Sequence, residues 1–162
     1  MASAPSQIPS ETLSATATAW LDALGSLDPE RLRAVMSPDY SHTFAPGSLT
    51  RLANSSKDRE AMCGHVEHVG RVLTSFPIFP RQVWPNPSLR QVVVWADSKA
   101  NFRDGATKGP DEDWEFAGEY MFVITMNETG DKVDKVLEFL DSKATERAWE
   151  LMAKALKNLE SQ

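Results

Sequence analysis

Two glutamates stand inside apolar stretches in the second half of this 162-residue chain. Glu138 lies in a Val-Leu-Glu-Phe-Leu stretch and Glu119 in Ala-Gly-Glu-Tyr-Met. Burial in a dry cavity favours the protonated form of a carboxyl group, which lets the group exchange protons near neutral pH. We therefore expect Glu138 to be a catalytic base or acid and Glu119 to contact substrate. The alternative for Glu138 is a surface ion pair with Lys135 or Arg103.

Two further polar residues flank these carboxylates. The phenol of Tyr120 can donate a hydrogen bond to a substrate carbonyl or enolate while its ring forms pocket wall. Asp141 ends the Glu138 stretch, where it can contact substrate or cap the helix that follows. Both interpretations of Asp141 remain open in the sequence.

The chain has three histidines, His42, His65 and His68. Tyr40, His42 and Phe44 alternate in a strand-like segment, so all three point to one face. If that face lines a cavity, Tyr40 and His42 supply an acid and a base, and Phe44 supplies apolar wall. Otherwise, His42 faces outward or is a hydrogen-bonded core residue.

His65 and His68 are three residues apart on a predicted helix. His-x-x-His without a third ligand is a weak metal signal, so no metal site is predicted. His65 borders the apolar stripe of that helix and is the better candidate to reach a pocket mouth. Cys63 has no evident histidine partner and is expected to be a packing residue.

Composition excludes several classes of function. The net charge of −6 and the absence of a basic patch disfavour nucleic acid or an anionic membrane surface as partner. No apolar run approaches the ~20 residues of a membrane helix. A single cysteine fits a reducing, cytoplasmic compartment. No glycine-rich phosphate loop, serine elbow or paired-cysteine signature appears, so no cofactor is predicted.

The order of elements predicts an α+β fold. Residues 1–8 are expected to be a flexible tail, and residues 9–162 a single domain. Helices are predicted from Ser10, from Asp28 and over 57–74, with a strand over 40–44 between the last two. Strands then follow over 91–103, 114–126 and 132–140, and a C-terminal helix begins at Ser142.

The predicted strands carry apolar residues on both faces. In the middle strand, Phe116, Tyr120 and Phe122 share one face, and Met121 and Val123 share the other. Helices covering one face and a second subunit covering the other would explain this pattern. We therefore expect a homodimer. Trp95, Trp114 and Phe116 are expected to line the substrate pocket.

Short segments of the chain resemble small fungal SnoaL-like proteins of the nuclear-transport-factor-2-like (NTF2-like) group. They are Met-Ser-Pro-Asp-Tyr-Ser-His from Met36, Ala-Pro-Gly-Ser-Leu from Ala45, Gly-Glu-Tyr from Gly118, and Lys-Val-Leu-Glu-Phe-Leu-Asp-Ser from Lys135. The resemblance implies a cone in which N-terminal helices pack on a curved antiparallel sheet beside a C-terminal helix. It also places Glu138 at a recurrent acidic position. Met36 occupies a position where relatives often have Arg.

The resemblance implies a cofactor-independent isomerase or cyclase acting on a hydrophobic polycyclic polyketide, meroterpenoid or alkaloid intermediate. Glu138, Tyr120, His42, Tyr40 and His65 would be its catalytic residues. A dehydratase similar to scytalone dehydratase is the second hypothesis, although the histidine spacing matches it poorly. A non-catalytic small-molecule-binding module is the third, because this scaffold hosts both enzymes and binders.

Overall fold

The structure, a computed structural model, describes residues 7–53, 56–109 and 112–162. The predicted tail lies outside these residues except for Gln7 and Ile8, and Ile8 packs against the core. The helices are α1 (Ser10–Ser26), α2 (Pro29–Val35), α3 (Thr50–Ala53), α4 (Arg59–Gly70) and α5 (Ser142–Glu160). The strands are β1 (Met36–Ala45), β2 (Lys57–Asp58), β3 (Leu73–Ser75), β4 (Ile78–Asn86), β5 (Gln91–Lys99), β6 (Asn101–Phe102), β7 (Ala117–Met126) and β8 (Val133–Leu140).

Aspartates fix the first turns of three helices. The side chain of Asp28 accepts hydrogen bonds from two backbone N–H groups of α2, and Pro29 occupies the first helical position. Asp58 caps α4 through the N–H of Ala61, and Asp141 caps α5 through the N–H of Ala144. These bonds satisfy N–H groups that have no partner inside the helix. Asp141 therefore adopts the capping role that the sequence left open.

Six strands form one sheet in the order β2-β1-β8-β7-β5-β4. Neighbouring strands run antiparallel, except that β1 pairs parallel with β8. The proline-rich β4 is an edge strand of the sheet. Proline has no N–H to donate to a neighbouring strand, and an edge strand tolerates it because one side of that strand has no neighbour. β3 and β6 form a separate two-stranded sheet. The α+β architecture predicted from sequence is confirmed.

Two predicted elements are shorter than expected. The helix predicted over 57–74 ends at Gly70, because the chain turns there and Leu73–Ser75 pairs with β6. The strand predicted over 91–103 likewise divides, since Gln91–Lys99 belongs to the large sheet and Asn101–Phe102 to the small one. Both boundaries depend on this tertiary pairing, which local periodicity does not reveal.

The two faces of the large sheet have different environments. Along β7, Tyr120, Phe122, Ile124 and Met126 are buried in the main core with residues of α1 and α4. The alternate residue Met121 is exposed, as are Leu137 and Phe139 on β8. The predicted division of β7 into two apolar faces is confirmed. No helix within the described ranges is long and apolar enough to cross a membrane.

Candidate active site

Three side chains form a buried hydrogen-bonded chain across β1 and β8. The hydroxyl of Tyr40 lies 2.8 Å from Nδ1 of His42, and Nε2 of His42 lies 2.8 Å from Oε2 of Glu138. His42 is 0% and Glu138 6% exposed. The parallel register of β1 and β8 positions this chain by placing Phe44 opposite Glu138 and His42 opposite Val136.

The proton positions in this chain follow from the phenol. Burial raises the pKa of Tyr40 well above its ordinary value, and the negative charge of Glu138 raises that pKa further. The phenol therefore keeps its proton and can donate it to Nδ1 of His42. The imidazole proton then lies on Nε2 and is donated to Oε2 of Glu138. Among the described residues, no hydrogen-bond donor contacts the other carboxylate oxygen, Oε1.

Glu138 is the acidic residue of a cavity beside the buried face of the large sheet, here called the inner sheet face. The cavity has a volume of about 130 Å³, and we call it the inner cavity. Glu138 is the only Asp, Glu, Lys or Arg that lines it among the described residues. His42 and Tyr40 lie behind Glu138 and do not line the cavity. The remaining wall is largely apolar and includes Phe44, Phe76, Phe116, Phe122 and Trp149.

Tyr120 provides a second polar group on the same wall. Its hydroxyl accepts a 2.9 Å hydrogen bond from Ser98, whose side chain is buried on β5. Burial raises the pKa of Tyr120 above its ordinary value, although the Ser98 bond partly opposes this effect. Tyr120 is therefore protonated at neutral pH, and its own proton can be donated into the cavity.

The Tyr120–Ser98 bond depends on a glycine in β7. Gly118 lies directly opposite Ser98 in the β5–β7 register. A Cβ atom at Gly118 would collide with the Tyr120 hydroxyl and would lie 2.9 Å from Oγ of Ser98. Neither Ser98 nor Gly118 was predicted as a site residue. A glycine inside a strand was the available signal, because it often marks a close approach of this kind.

His65 lies where the inner cavity meets a second chamber. Its ring packs 5.6 Å from the Phe44 ring, measured between centroids. Burial lowers the pKa of His65 to about 4, and the electrostatic effect of neighbouring Lys57, with smaller effects of His42 and His68, acts in the same direction. At neutral pH His65 is therefore an uncharged wall residue, able to exchange a hydrogen bond with a ligand.

The second chamber, here called the outer chamber, has a volume of about 400 Å³. It shares part of its wall with the inner cavity, so the two spaces are adjacent. Pockets for drug-sized ligands usually have volumes of about 300–1,000 Å³. The inner cavity is thus large enough only for part of a polycyclic ligand, and the outer chamber extends the available space. The shared wall consists of Leu52, His65, Val69, Trp149 and Met152.

Four residues predicted to contact substrate lie outside the inner cavity. Trp95 and Glu119 are on the opposite face of the large sheet, here called the outer sheet face, on which Met121 and Phe139 are exposed. There the indole N–H of Trp95 donates to Oε1 of Glu119 at 2.7 Å. Asp141 is occupied as the cap of α5. Trp114 packs against Phe102 in a separate apolar cluster. Phe44, Phe116, Tyr120, His65 and Glu138 do line the cavity, as the predicted roles require.

The described residues contain no group of three or more His, Cys, Asp or Glu side chains placed to hold a metal ion. The sulfur of Cys63 lies 3.5 Å from the backbone oxygen of Pro29 in the packing between α2 and α4. The titratable side chains on the wall of the inner cavity are His65, Tyr120 and Glu138, and such groups can transfer protons and form hydrogen bonds.

Sequence comparison identifies a curated relative of this chain. Over 139 residues the chain is 30% identical to austinoid biosynthesis clusters protein S of Emericella nidulans, an alignment that covers 82% of this chain and 87% of the relative. The chain belongs to the fungal SnoaL-like, NTF2-like family. No family model matches the sequence.

Solved structures show the same SnoaL-like fold. BvnE pinacolase from Penicillium brevicompactum superposes with a TM-score of 0.75 at 23% identity, covering 90% of this chain and 96% of that chain. A putative SnoaL-like polyketide cyclase from Shewanella denitrificans gives a TM-score of 0.65 at 10% identity, covering 93% and 98%. The predicted cone architecture is confirmed by these similarities.

Proposed function

We propose that this SnoaL-like protein is a cofactor-independent isomerase or cyclase of fungal secondary metabolism. The observation that carries the proposal is the placement of Glu138, a carboxylate with a free oxygen on the wall of an aromatic, largely apolar cavity. The relationship to an austinoid-cluster protein and the fold shared with a pinacolase support this class of chemistry.

In the proposed reaction, Glu138 removes a proton from a carbon next to a substrate carbonyl. The Tyr120 hydroxyl donates a hydrogen bond to the carbonyl oxygen, where negative charge develops as the proton leaves. The two residues lie on adjacent strands, where Tyr120 is opposite Leu140 and Glu138 is two residues before Leu140 on β8. The Cα atoms of such a diagonal pair are about 7–8 Å apart, and both side chains line the inner cavity.

The second half of the reaction returns the proton. In an isomerisation, the protonated Glu138 delivers it to a different carbon of the enolate. In a cyclisation, the enolate carbon attacks a neighbouring electrophile and closes a ring, and the proton of Glu138 goes to the heteroatom that this attack leaves negatively charged. His42 holds Oε2 throughout, so Oε1 is directed at the substrate. The aromatic wall fixes the ligand conformation from which rearrangement follows. The substrate class is a hydrophobic polycyclic polyketide, meroterpenoid or alkaloid intermediate.

The decisive experiment is incubation with candidate pathway intermediates in D₂O, followed by mass spectrometry. An isomerase or a cyclase gives a product with the substrate's elemental composition, and in an isomerisation deuterium enters at the carbon that is reprotonated. A product that has lost one water would instead show the dehydratase. Binding of the intermediate without any product would show a non-catalytic module and contradict the proposal.

We also propose that the protein is a homodimer built through the outer sheet face. The strand register places Trp84, Val93, Val123 and Leu137 in one row across four strands. Met121 and Phe139 lie in the next row, and the Phe139 side chain is 50% exposed. A second copy related by a two-fold axis can cover this apolar face with the same face of its own sheet.

A further inference from the structure

Positive charge is concentrated on the wall of the outer chamber. Arg51 of α3, His68 of α4 and Arg71, which follows α4, all line it. No Asp or Glu lines the chamber among the described residues. The net charge of the chain is −6, whereas the two guanidinium groups make the wall of this chamber locally positive.

Neither of these arginines is neutralised by the part of the chain that the structure describes. Arg33, Arg81 and Arg147 each form ion pairs with carboxylates. Within residues 7–53, 56–109 and 112–162, no such pair involves Arg51 or Arg71. Both side chains belong to exposed residues, so they keep their charge and can turn toward an anion in the chamber.

Arg51 is held in a geometry that suits an anionic ligand. Its guanidinium carbon lies 5.2 Å from the centroid of the Trp149 ring. A guanidinium above an aromatic face keeps N–H donors along its edge, because those donors lie in the plane of the group. Trp149 also lines the inner cavity, so an anion bound to Arg51 would be close to the reacting part of the ligand.

We propose that the outer chamber binds a carboxylate on the distal part of the substrate, while the reacting ring occupies the inner cavity beside Glu138. This inference rests on the proposed function and names a substrate class within it, a polycyclic carboxylic acid. A carboxylate matches the fork of N–H donors on an arginine. The rest of the chamber is apolar, with Leu52, Val69, Val72, Met152 and Leu156 on its wall, and suits the hydrocarbon skeleton that carries the acid.

The test compares two small aromatic probes, 2-naphthoate and its uncharged methyl ester, methyl 2-naphthoate. Isothermal titration calorimetry at low salt is expected to give a Kd about tenfold lower for the acid, as for a charge-assisted hydrogen bond. This preference should shrink when salt is raised, because the site is open to solvent. Equal affinities, or no binding of either probe, would overturn the inference.

Variants locate the interaction. Arg51→Gln and Arg71→Gln should each weaken 2-naphthoate binding several-fold and leave the ester unaffected. Arg31→Gln removes the same charge from an exposed position outside the chamber and should keep wild-type affinity. Arg51→Lys should lose part of the preference, because ammonium has no planar fork. An unchanged acid preference in both glutamine variants would contradict the inference.

Failure of this inference is distinguishable from failure of the proposed function. The binding assay needs no turnover, and Glu138→Gln should retain the preference for the acid probe. If Glu138→Gln abolishes turnover while acid and ester bind equally, the enzyme proposal stands and the carboxylate site does not exist. Thermal unfolding of each arginine variant checks that reduced binding does not come from loss of the fold.

Discussion

Nε2 of His42 and Oε2 of Glu138 lie 2.8 Å apart, and both side chains are withdrawn from solvent. Only Glu138 of this pair reaches the inner cavity. In the proposed mechanism, His42 is therefore a positioning residue and Glu138 is the reactive one. The imidazole fixes the carboxylate by one oxygen and leaves the other for substrate, while the protonated Tyr40 fixes the imidazole in turn.

Glu138→Gln should abolish most of the turnover. The amide keeps the shape of the side chain but cannot accept a proton from carbon, so kcat should fall by about 10²–10⁴-fold, the usual contribution of a general base. Steady-state kinetics with the pathway intermediate measure this. Glu128→Gln is the matched control, because Glu128 is exposed in the turn between β7 and β8. Turnover by Glu138→Gln at the wild-type rate would remove Glu138 from the mechanism.

Tyr40→Phe should reduce both stability and kcat. The variant leaves Nδ1 of the fully buried His42 without its hydrogen-bond partner, which costs about 1–3 kcal/mol of unfolding free energy. Urea denaturation measures that loss. Because Tyr40 acts through His42, kcat should fall several-fold with little change in KM. A loss of stability with kcat unchanged would assign Tyr40 a purely structural role.

Local sequence patterns were sufficient for most elements of the fold. The starts of α2 and α5 follow from Asp28 with Pro29 and from Asp141, whose caps satisfy backbone groups within three residues. The parallel pairing of β1 with β8 joins His42 to Val136 across most of the chain. Pairing over that separation leaves no local periodicity, so the sequence alone could not reveal it.

The candidate site was predictable where chemistry and strand alternation coincided. Glu138 and Tyr120 stand out as polar groups on apolar strands, and both reach the cavity. Trp95 was expected in the pocket but lies on the opposite sheet face. Aromatic content does not say which face of a sheet the cavity occupies. The Ser98–Tyr120 bond was missed because it joins two strands whose register only the structure reveals.

Stability should fall with acid through His65. Its folded pKa of about 4 lies below the ordinary value of 6.5, so the unfolded state binds the proton more readily. The stabilisation is fully present above pH 6.5 and is lost as the pH falls from 6.5 to 4. A shift of this size corresponds to at most about 3 kcal/mol.

Urea denaturation of wild type and His65→Leu between pH 7.5 and 4 measures this contribution. Because leucine does not titrate, the stability of the variant relative to wild type should rise by up to about 3 kcal/mol over that range. His68→Gln is the comparison: His68 is exposed on the same helix and is the smallest of the named contributions to the lowered pKa of His65, so this variant should keep most of the decline. A parallel decline of wild type and His65→Leu would show that His65 does not carry the effect.

Phe139→Arg should convert the proposed dimer into a monomer. The charge would be placed on the exposed apolar face of β8, where burying it against a second copy is costly. Sedimentation equilibrium over a range of concentrations measures the mass. Leu89→Arg is the control, because Leu89 is exposed in the turn between β4 and β5 and not on the sheet face. A wild-type protein that stays monomeric at all concentrations would contradict the dimer.

Tyr120→Phe should lower kcat by about 10²–10³-fold, as the loss of one donor to a developing oxyanion does in other enzymes. The ring remains as cavity wall, so KM should change little. The buried hydroxyl of Ser98 loses its acceptor, which also reduces the unfolding free energy by about 1–3 kcal/mol.

Ser98→Ala separates these two effects. It removes the bond to Tyr120 but leaves the phenol able to donate into the cavity, so kcat should fall much less than in Tyr120→Phe. If both variants lose activity equally, the Ser98–Tyr120 bond positions the phenol so strongly that neither residue works without the other. If Tyr120→Phe retains the wild-type kcat, charge on the substrate oxygen is stabilised elsewhere, and the proposed role of Tyr120 as donor is wrong.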